Sequence, residues 1–233
     1  MIKLHHLRFS RSTRIIWLLE ELGLQYEMEE HHRHPETNRS QEDLFAIHPL
    51  GKAPTVEIDG HVMVESGAII EYIIESRGEG QLAPTSNADR APYLEWLQFA
   101  EGTLSMPILL TLLGPRFGGL GDVLGGFVGG EVTKLLDYID GHLEGREFLL
   151  GDTFTGADIN LEYLLELSNL VSLLDERPNA KAYLGRLMYL PAYKKAIVIV
   201  RPLVDVPGLA SACLAAASAG GDRPNINERI ILD

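Results

Sequence analysis

The stretch that most constrains this chain is His48 to Glu71, HPLGKAPTVEIDGHVMVESGAIIE. Val56 and Ile58 alternate within a short run, Thr55 to Ile58, that reads as a strand; Asp59-Gly60 is a hairpin turn and His61 to Val64 the returning strand. Pro54 stands directly before the first of these strands, after the turn residues Pro49, Leu50 and Gly51. A loop that must present its backbone to a ligand gains from a cis bond there. With Ala53-Pro54 cis, the N–H and C=O of Ala53 face outward, free to pair with a peptide. After the hairpin, Glu65-Ser66-Gly67 precedes the helical pattern Ala68, Ile69, Tyr72, Ile73, which puts Ser66 where an N-cap belongs. Free N–H groups at a helix start bind a carboxylate, and Glu65 beside them pairs with an ammonium. Both charges at that spacing match the head group of an α-amino acid, so the segment reads as a cradle for a small zwitterionic peptide.

The cradle closes a run of alternating short elements. Strand patterns at Ile2 to Leu7 and Tyr26 to His31 alternate with helices near residues 12–22 and 41–47, giving the order β-α-β-α-β-β-α. Ile15, Leu18, Leu19 and Leu22 form one buried stripe of the first helix, and Gly23 ends it. The polar break RGEGQLAPTSNADR, Arg77 to Arg90, has the composition of a linker. Beyond it the period is helical throughout: residues 91–113 with a kink expected at Pro107, 131–143, 156 to about 174, and two shorter helices before Pro202. FTGADI is a strong helix start, with Thr155 as N-cap and Asp158 as its capping-box partner. The expectation is an α/β domain at residues 1–80, an all-α bundle at 90–202 and an extension at 203–233.

The cradle, together with the N-terminal segment LHHLRFSRSTRIIWLLEELGLQYE, resembles the cytosolic glutathione transferases, and SRSTRIIWLLEELGL is most similar to a fungal-type and bacterial branch that uses serine. The resemblance spans Met1 to about Pro202. It implies a thioredoxin-like domain that binds glutathione and a helical domain that builds the pocket for an electrophile. Ser10, four residues before Arg14, matches the catalytic serine; Ser12 is the alternative, or else an N-cap. Lys52 matches the lysine that meets the glycyl carboxylate, Arg39 either assists it or is a solvated charge, and Ala53, Pro54, Glu65 and Ser66 hold the peptide. His48 stands where the family usually has Asn. Phe9, Met106, Leu109, Phe117 and Tyr163 are pocket candidates, though each also reads as ordinary core. The implied activity is conjugation of the glutathione thiolate to apolar electrophiles by a cytoplasmic homodimer, with Glu101 reaching toward the partner's glutathione. Hydroperoxide reduction and a non-catalytic glutathione-binding regulator are the alternatives.

Composition narrows the partners. With 33 acidic against 20 basic residues the net charge is −13, which disfavours nucleic acid and anionic membranes. No membrane span is expected, because Pro107 and Pro202 break the longest apolar runs. Cys213, the single cysteine, excludes an internal disulfide or CxxC pair. His31, His32 and His34 lack an acidic or cysteine partner at a ligating spacing and read as a solvated strand end, so no metal is expected. Gly118 to Gly130 lacks the ending of a phosphate loop and reads as a flexible connection or a mobile lid.

Overall fold

The computed structural model describes residues 1–34, 37, 40 and 42–200. The first part is a four-stranded sheet, β1 (Ile2–Leu7), β2 (Glu27–His31), β3 (Thr55–Ile58) and β4 (His61–Val64), in the order β2-β1-β3-β4. β1 runs parallel to β2 and antiparallel to β3, with His5 opposite Thr55, and Thr55 lies opposite Val64 of β4. The hairpin turn has both Asp59 (φ 51°) and Gly60 (φ 80°) in the left-handed region, the geometry a two-residue hairpin demands. Helix α1 (Ser12–Glu21) and α3 (Ser66–Arg77) join Leu4, Val56 and Ile58 in one core, and α2 (Glu42–Ile47) follows β2. This is a thioredoxin-like arrangement, followed by an all-helical part.

Helices α4 (Asn87–Phe99) and α5 (Ser105–Leu113) are joined by a π-helical turn, Ala100–Leu104. The irregularity expected at Pro107 is thus realised one turn earlier. Pro107 has no N–H to offer the carbonyl of Thr103, and widening the preceding turn accommodates that loss. A 3-10 turn, Gly114–Phe117, continues the stretch, so Pro107 does not break the run as expected, and residues 87–117 form one helical stretch long and apolar enough to cross a membrane by length and composition. Here the stretch contributes Tyr93, Trp96, Leu97, Ala100, Leu104 and Ile108 to the core.

Helix α6 (Gly121–His142) corrects a second expectation, since ten residues read as connection are helical. Each helical glycine costs about 1 kcal/mol relative to alanine. Burial of Val128, Val132, Leu135, Leu136 and Ile139 along the same helix offsets that cost. Only Gly118, Gly119 and Gly121 keep the positive φ of a connection. Helices α7 (Gly156–Leu170), α8 (Pro178–Tyr189) and α9 (Pro191–Val200) complete the bundle.

The two parts share one core through α1. Trp17 is buried against Tyr193 of α9 (ring centroids 5.1 Å apart, edge-on) and Phe154 (5.6 Å). The α7 start is fixed by Asp158, whose carboxylate accepts from the N–H of Thr155 (2.8 Å) and Leu149 (2.9 Å) and from the Tyr183 hydroxyl (2.8 Å). Gly156 begins α7 directly against α3: a Cβ there would lie 2.5 Å from Ile74 Cδ1 and 2.8 Å from Ile70 Cγ2. Gly156→Ala is therefore expected to overpack this junction and cost about 1 to 3 kcal/mol, read as a lowered urea midpoint.

Candidate functional site

Strand direction brings the candidate residues together. β1 and β4 both end, and β3 begins, at the same edge of the sheet, so the Ser10 loop, the Lys52–Pro54 loop and the Glu65–Ser66 corner converge there. Helices α1 and α3 begin at that edge too; the first N–H groups of α1 are taken up by Ser10 and Arg11, whereas α3 starts without a side-chain cap. The Ala53-Pro54 bond is cis. Pro54 is buried, Ala53 half-buried and Lys52 exposed. Gly51 adopts φ +53°, and a Cβ there would lie 2.6 Å from the Phe45 ring of α2, so both its conformation and its space exclude side chains. His48, in the usual place of Asn, takes over an acceptor role: its Nδ1 receives the Leu50 N–H (3.3 Å), while its carbonyl receives that of Gly51 (2.8 Å).

At the corner, Glu65 rather than Ser66 is the N-cap. Glu65 has φ 75° and ψ 111°, and its carbonyl accepts the Ile69 N–H at 3.0 Å. Ser66 is the first helical residue, buried to 3% exposure, while Glu65 is exposed. A non-glycine residue at this φ costs of the order of 1 to 3 kcal/mol.

Ser10 and Ser12 are linked. Their Oγ atoms are 2.7 Å apart, and Ser10 Oγ also accepts the Ser12 N–H at 3.2 Å. Ser12 is not the N-cap: Arg11 holds that place, and Ser12 starts α1 fully buried. The Ser12 hydroxyl lies 2.8 Å from His6 Nδ1 and 3.3 Å from both the N–H and the carbonyl of Leu7. Burial pushes His6 down to about 4, so its ring is neutral at pH 7 and carries one proton. Its Nε2 is buried without a hydrogen-bond partner among the described residues. Ser10 is thus the outer hydroxyl and Ser12 its buried support.

Sequence reading missed the groups that hold this loop. Arg33 donates to the carbonyls of Arg8 (2.9 Å) and Phe9 (2.7 Å), across a loop in which Phe9 has φ 53°. Arg11 donates to Glu101 (2.8 and 2.9 Å) and to Ser105 Oγ (2.6 Å), and the buried Arg14 pairs with the same Glu101. Burial alone would raise the Glu101 carboxyl, but Arg14 and Arg11 outweigh it and hold the group below the usual carboxylate range. Glu101 is thus paired with two arginines of its own chain. Tyr163 lies under both guanidiniums, 5.1 Å from Arg14 and 6.0 Å from Arg11. No local signal links residues 90 positions apart, and only the π-helical turn delivers Glu101 to them.

The pocket candidates divide. Phe9 (41% exposed) and Met106 (62%) are exposed, two residues before Arg11 and one after Ser105, and Leu109 lies one turn along α5 from Ser105. Leu109 and Tyr163 are partly buried against the core. Phe117 stands beyond the far end of α5, 80% exposed. Cavities of about 560 and 300 Å³ lie around the start of α6, not beside Ser10. Arg39, Cys213 and the extension from 203 lie outside the described residues. His31 is not solvated as expected but buried, within hydrogen-bonding distance of His5 and Asp43.

The fold is a thioredoxin-like domain joined to a helical bundle, with the Ser10 loop, the cis-proline loop and the start of α3 at one edge of the sheet. The model of the glutathione S-transferase N-terminal domain matches residues 1–75 and that of the C-terminal domain matches residues 128–191. Glutathione S-transferase 3 of Schizosaccharomyces pombe is 34% identical over 175 residues, covering 68% of this chain and 70% of the relative. A glutathione S-transferase structure from Actinobacillus pleuropneumoniae is 34% identical with a TM-score of 0.78, covering 86% of this chain and 93% of that one. A family member from Pseudomonas fluorescens, solved with two glutathiones bound, is 26% identical with a TM-score of 0.71, covering 84% and 92%. This chain belongs to the glutathione S-transferase family.

Below Arg14 the core holds Glu162 of α7, hydrogen-bonded by Tyr193. Burial first, and then the neighbouring Glu166, push Glu162 up to about 8, against an ordinary value of 4.5. Between those values the folded chain keeps a proton that the unfolded chain has released, so stability falls as pH rises through that window. Urea melts from pH 5 to 8 are expected to show this loss, at most about 1.4 kcal/mol per pH unit, and Glu162→Gln to flatten it.

Proposed function

We propose that the chain binds glutathione along the sheet edge and conjugates its thiolate to apolar electrophiles. The convergence of Ser10, the cis-proline loop and the Glu65–Ser66 corner on two helix starts carries this reading. In it, the α3 N–H groups and Ser66 hold the γ-glutamyl carboxylate and Glu65 its ammonium. The backbone of Ala53 pairs with the cysteinyl residue. Lys52, with Arg39, meets the glycyl carboxylate.

Ser10 donates a hydrogen bond to the sulfur, and the order of donors behind it supports that role. If Ser10 Oγ–H points outward, the Ser12 proton points to Ser10 Oγ and the His6 Nδ1–H donates to Ser12, leaving His6 Nε2 as the lone-pair nitrogen. A donor chain aligned in this way polarises each successive bond, strengthening the last one.

The thiolate bond alone is a modest catalyst. Lowering a thiol from about 8.5 to about 6.5 raises its thiolate fraction at pH 7 roughly 25-fold, while the accompanying fall in nucleophilicity returns about eightfold. A net gain of about threefold leaves most of the acceleration to placing an electrophile beside sulfur. Phe9, Met106, Leu109 and Tyr163 supply apolar surface there, and the exposure of Phe9 and Met106 supports that role. Reduction of hydroperoxides starts from the same thiolate; formation of oxidised glutathione rather than an adduct separates the two. The reading includes a two-fold homodimer working in a reducing cytoplasm, which supplies the reduced thiol. Sedimentation as a monomer at micromolar concentration would count against that pairing.

Ser10→Ala is expected to keep glutathione affinity but to raise the bound thiol's pKa by about one to two units, followed as thiolate absorbance against pH. Ser66→Ala is expected to weaken binding by about 1 to 3 kcal/mol in calorimetry. Unchanged titration in Ser10→Ala with a shift in Ser12→Ala would move the contact to Ser12, and unchanged affinity in Ser66→Ala would remove it from the cradle.

A further inference from the structure

A second cluster lies on the other face of the sheet. Side chains alternate along β1, so Ile2 and Leu4 enter the core while Lys3 and His5 face away from it, beside Glu29 and His31 of β2 and Glu57 of β3. His5 Nδ1 and His31 Nε2 face each other at 3.0 Å. The outer nitrogens are both engaged by carboxylates: His5 Nε2 is 2.8 Å from Glu57, and His31 Nδ1 is 2.7 Å from Asp43 at the start of α2. Carboxylates are ionised at neutral pH and only accept, so each imidazole spends a proton outward. Two neutral rings then present lone pairs to each other, which repel at this distance unless a cation lies between them.

We propose that His5 Nδ1, His31 Nε2 and the Glu29 carboxylate bind one divalent transition-metal ion of the zinc class, with water completing its shell. The three ligand atoms lie within 4.8 Å of one another. Two nitrogens 3.0 Å apart subtend about 95° at an ion with Zn–N bonds of about 2.05 Å, so the imidazoles need little movement and Glu29 closes the site. Glu57 and Asp43 are the outer partners that metal-bound histidines characteristically have, fixing tautomer and ring orientation. His5 and His31 are buried, whereas Glu29 is exposed on the edge strand, so the ion enters from its side. Lys3 opposes the ion, since its ammonium now holds Glu29 at 2.7 Å. Three carboxylates against that one ammonium still leave a double negative charge to match a divalent cation. An ion here ties β1, β2 and, through Asp43, α2 together, and α2 carries the Phe45 ring against Gly51 of the Lys52 loop.

The rival occupant is a proton, which makes the pair an imidazole–imidazolium hydrogen bond. The test is titration of the tag-free, chelator-treated full chain with zinc by calorimetry and with cobalt by visible absorption. One equivalent is expected per chain, with ligand-field bands for cobalt and a raised unfolding temperature for zinc. Asp43→Asn is expected to weaken binding about 10- to 100-fold. Glu29→Gln is also expected to weaken it, Lys3→Gln to tighten it, and His32→Gln, at an exposed neighbour, to leave it unchanged. The Lys3 and Glu29 changes are at partly or fully exposed positions, so their opposite signs test the site without disturbing the core. Failure to bind one equivalent at micromolar metal, or binding lost in His32→Gln and kept in Glu29→Gln, would overturn the proposal in favour of the proton or of surface histidines. The outcome is independent of glutathione affinity.

Discussion

The buried guanidinium of Arg14 is the group on which the arrangement depends. It is 1% exposed, and burial pulls its ionisation down while Glu101 pulls it up. Its Nε and Nη2 have no hydrogen-bond partner among the described residues, so Glu101 and the face of Tyr163 carry the compensation. Removing one partner of such a pair costs about 3 to 5 kcal/mol, because the other charge stays buried. That cost makes the approach of the π-helical turn to α1 close to obligatory. Arg11 then shares Glu101 and reaches Ser105, so the start of α1 is clamped to the start of α5.

The hydroxyl chain inherits its order from that clamp. Ser12 is the first residue of α1, and its position fixes both Oγ contacts and the N–H that Ser10 accepts. Arg33 ties down the other side of the loop through the carbonyls of Arg8 and Phe9. Phe9 and Glu65, both non-glycine residues at positive φ, flank the proposed cradle. Strain of this kind persists where surrounding contacts over-determine the backbone. Gly51 achieves the same close approach without that cost.

The helical part shows the reverse balance, with tertiary packing overriding local preference. The glycines of α6 argue for a connection by propensity, and the apolar residues spaced among them argue for a helix by burial. Burial wins, because one buried aliphatic side chain is worth about 1.5 to 3 kcal/mol, more than each glycine loses. Pro107 is accommodated likewise by a wide turn rather than a break. That turn has a consequence for the other domain, since it presents Glu101.

The local order of elements was legible because each rests on short-range signals: alternation in β3 and β4, Asp59-Gly60 at the turn, the stripe of α1, and Thr155 with Asp158 at α7. The cis-proline loop, the hairpin and the helix after it were legible for the same reason, being written almost contiguously from His48 to Glu71. The corner was misplaced by one residue, because cap identity depends on a backbone angle at Glu65 that side-chain type does not encode. The partners of Arg11 and Arg14, the burial of His6 behind Ser12 and the meeting of His5 with His31 were not legible. Those contacts join residues 6 to 94 positions apart, and they exist only once strand order and helix crossing put them on one face. Sequence determined which segments fold and which carry the chemistry of an amino-acid head group, because those properties follow from periodicity and adjacent charge. Tertiary structure alone decided which charges are neutralised, which serine hydroxyl is the more buried and which histidines meet, because electrostatics acts through distance and burial rather than along the chain.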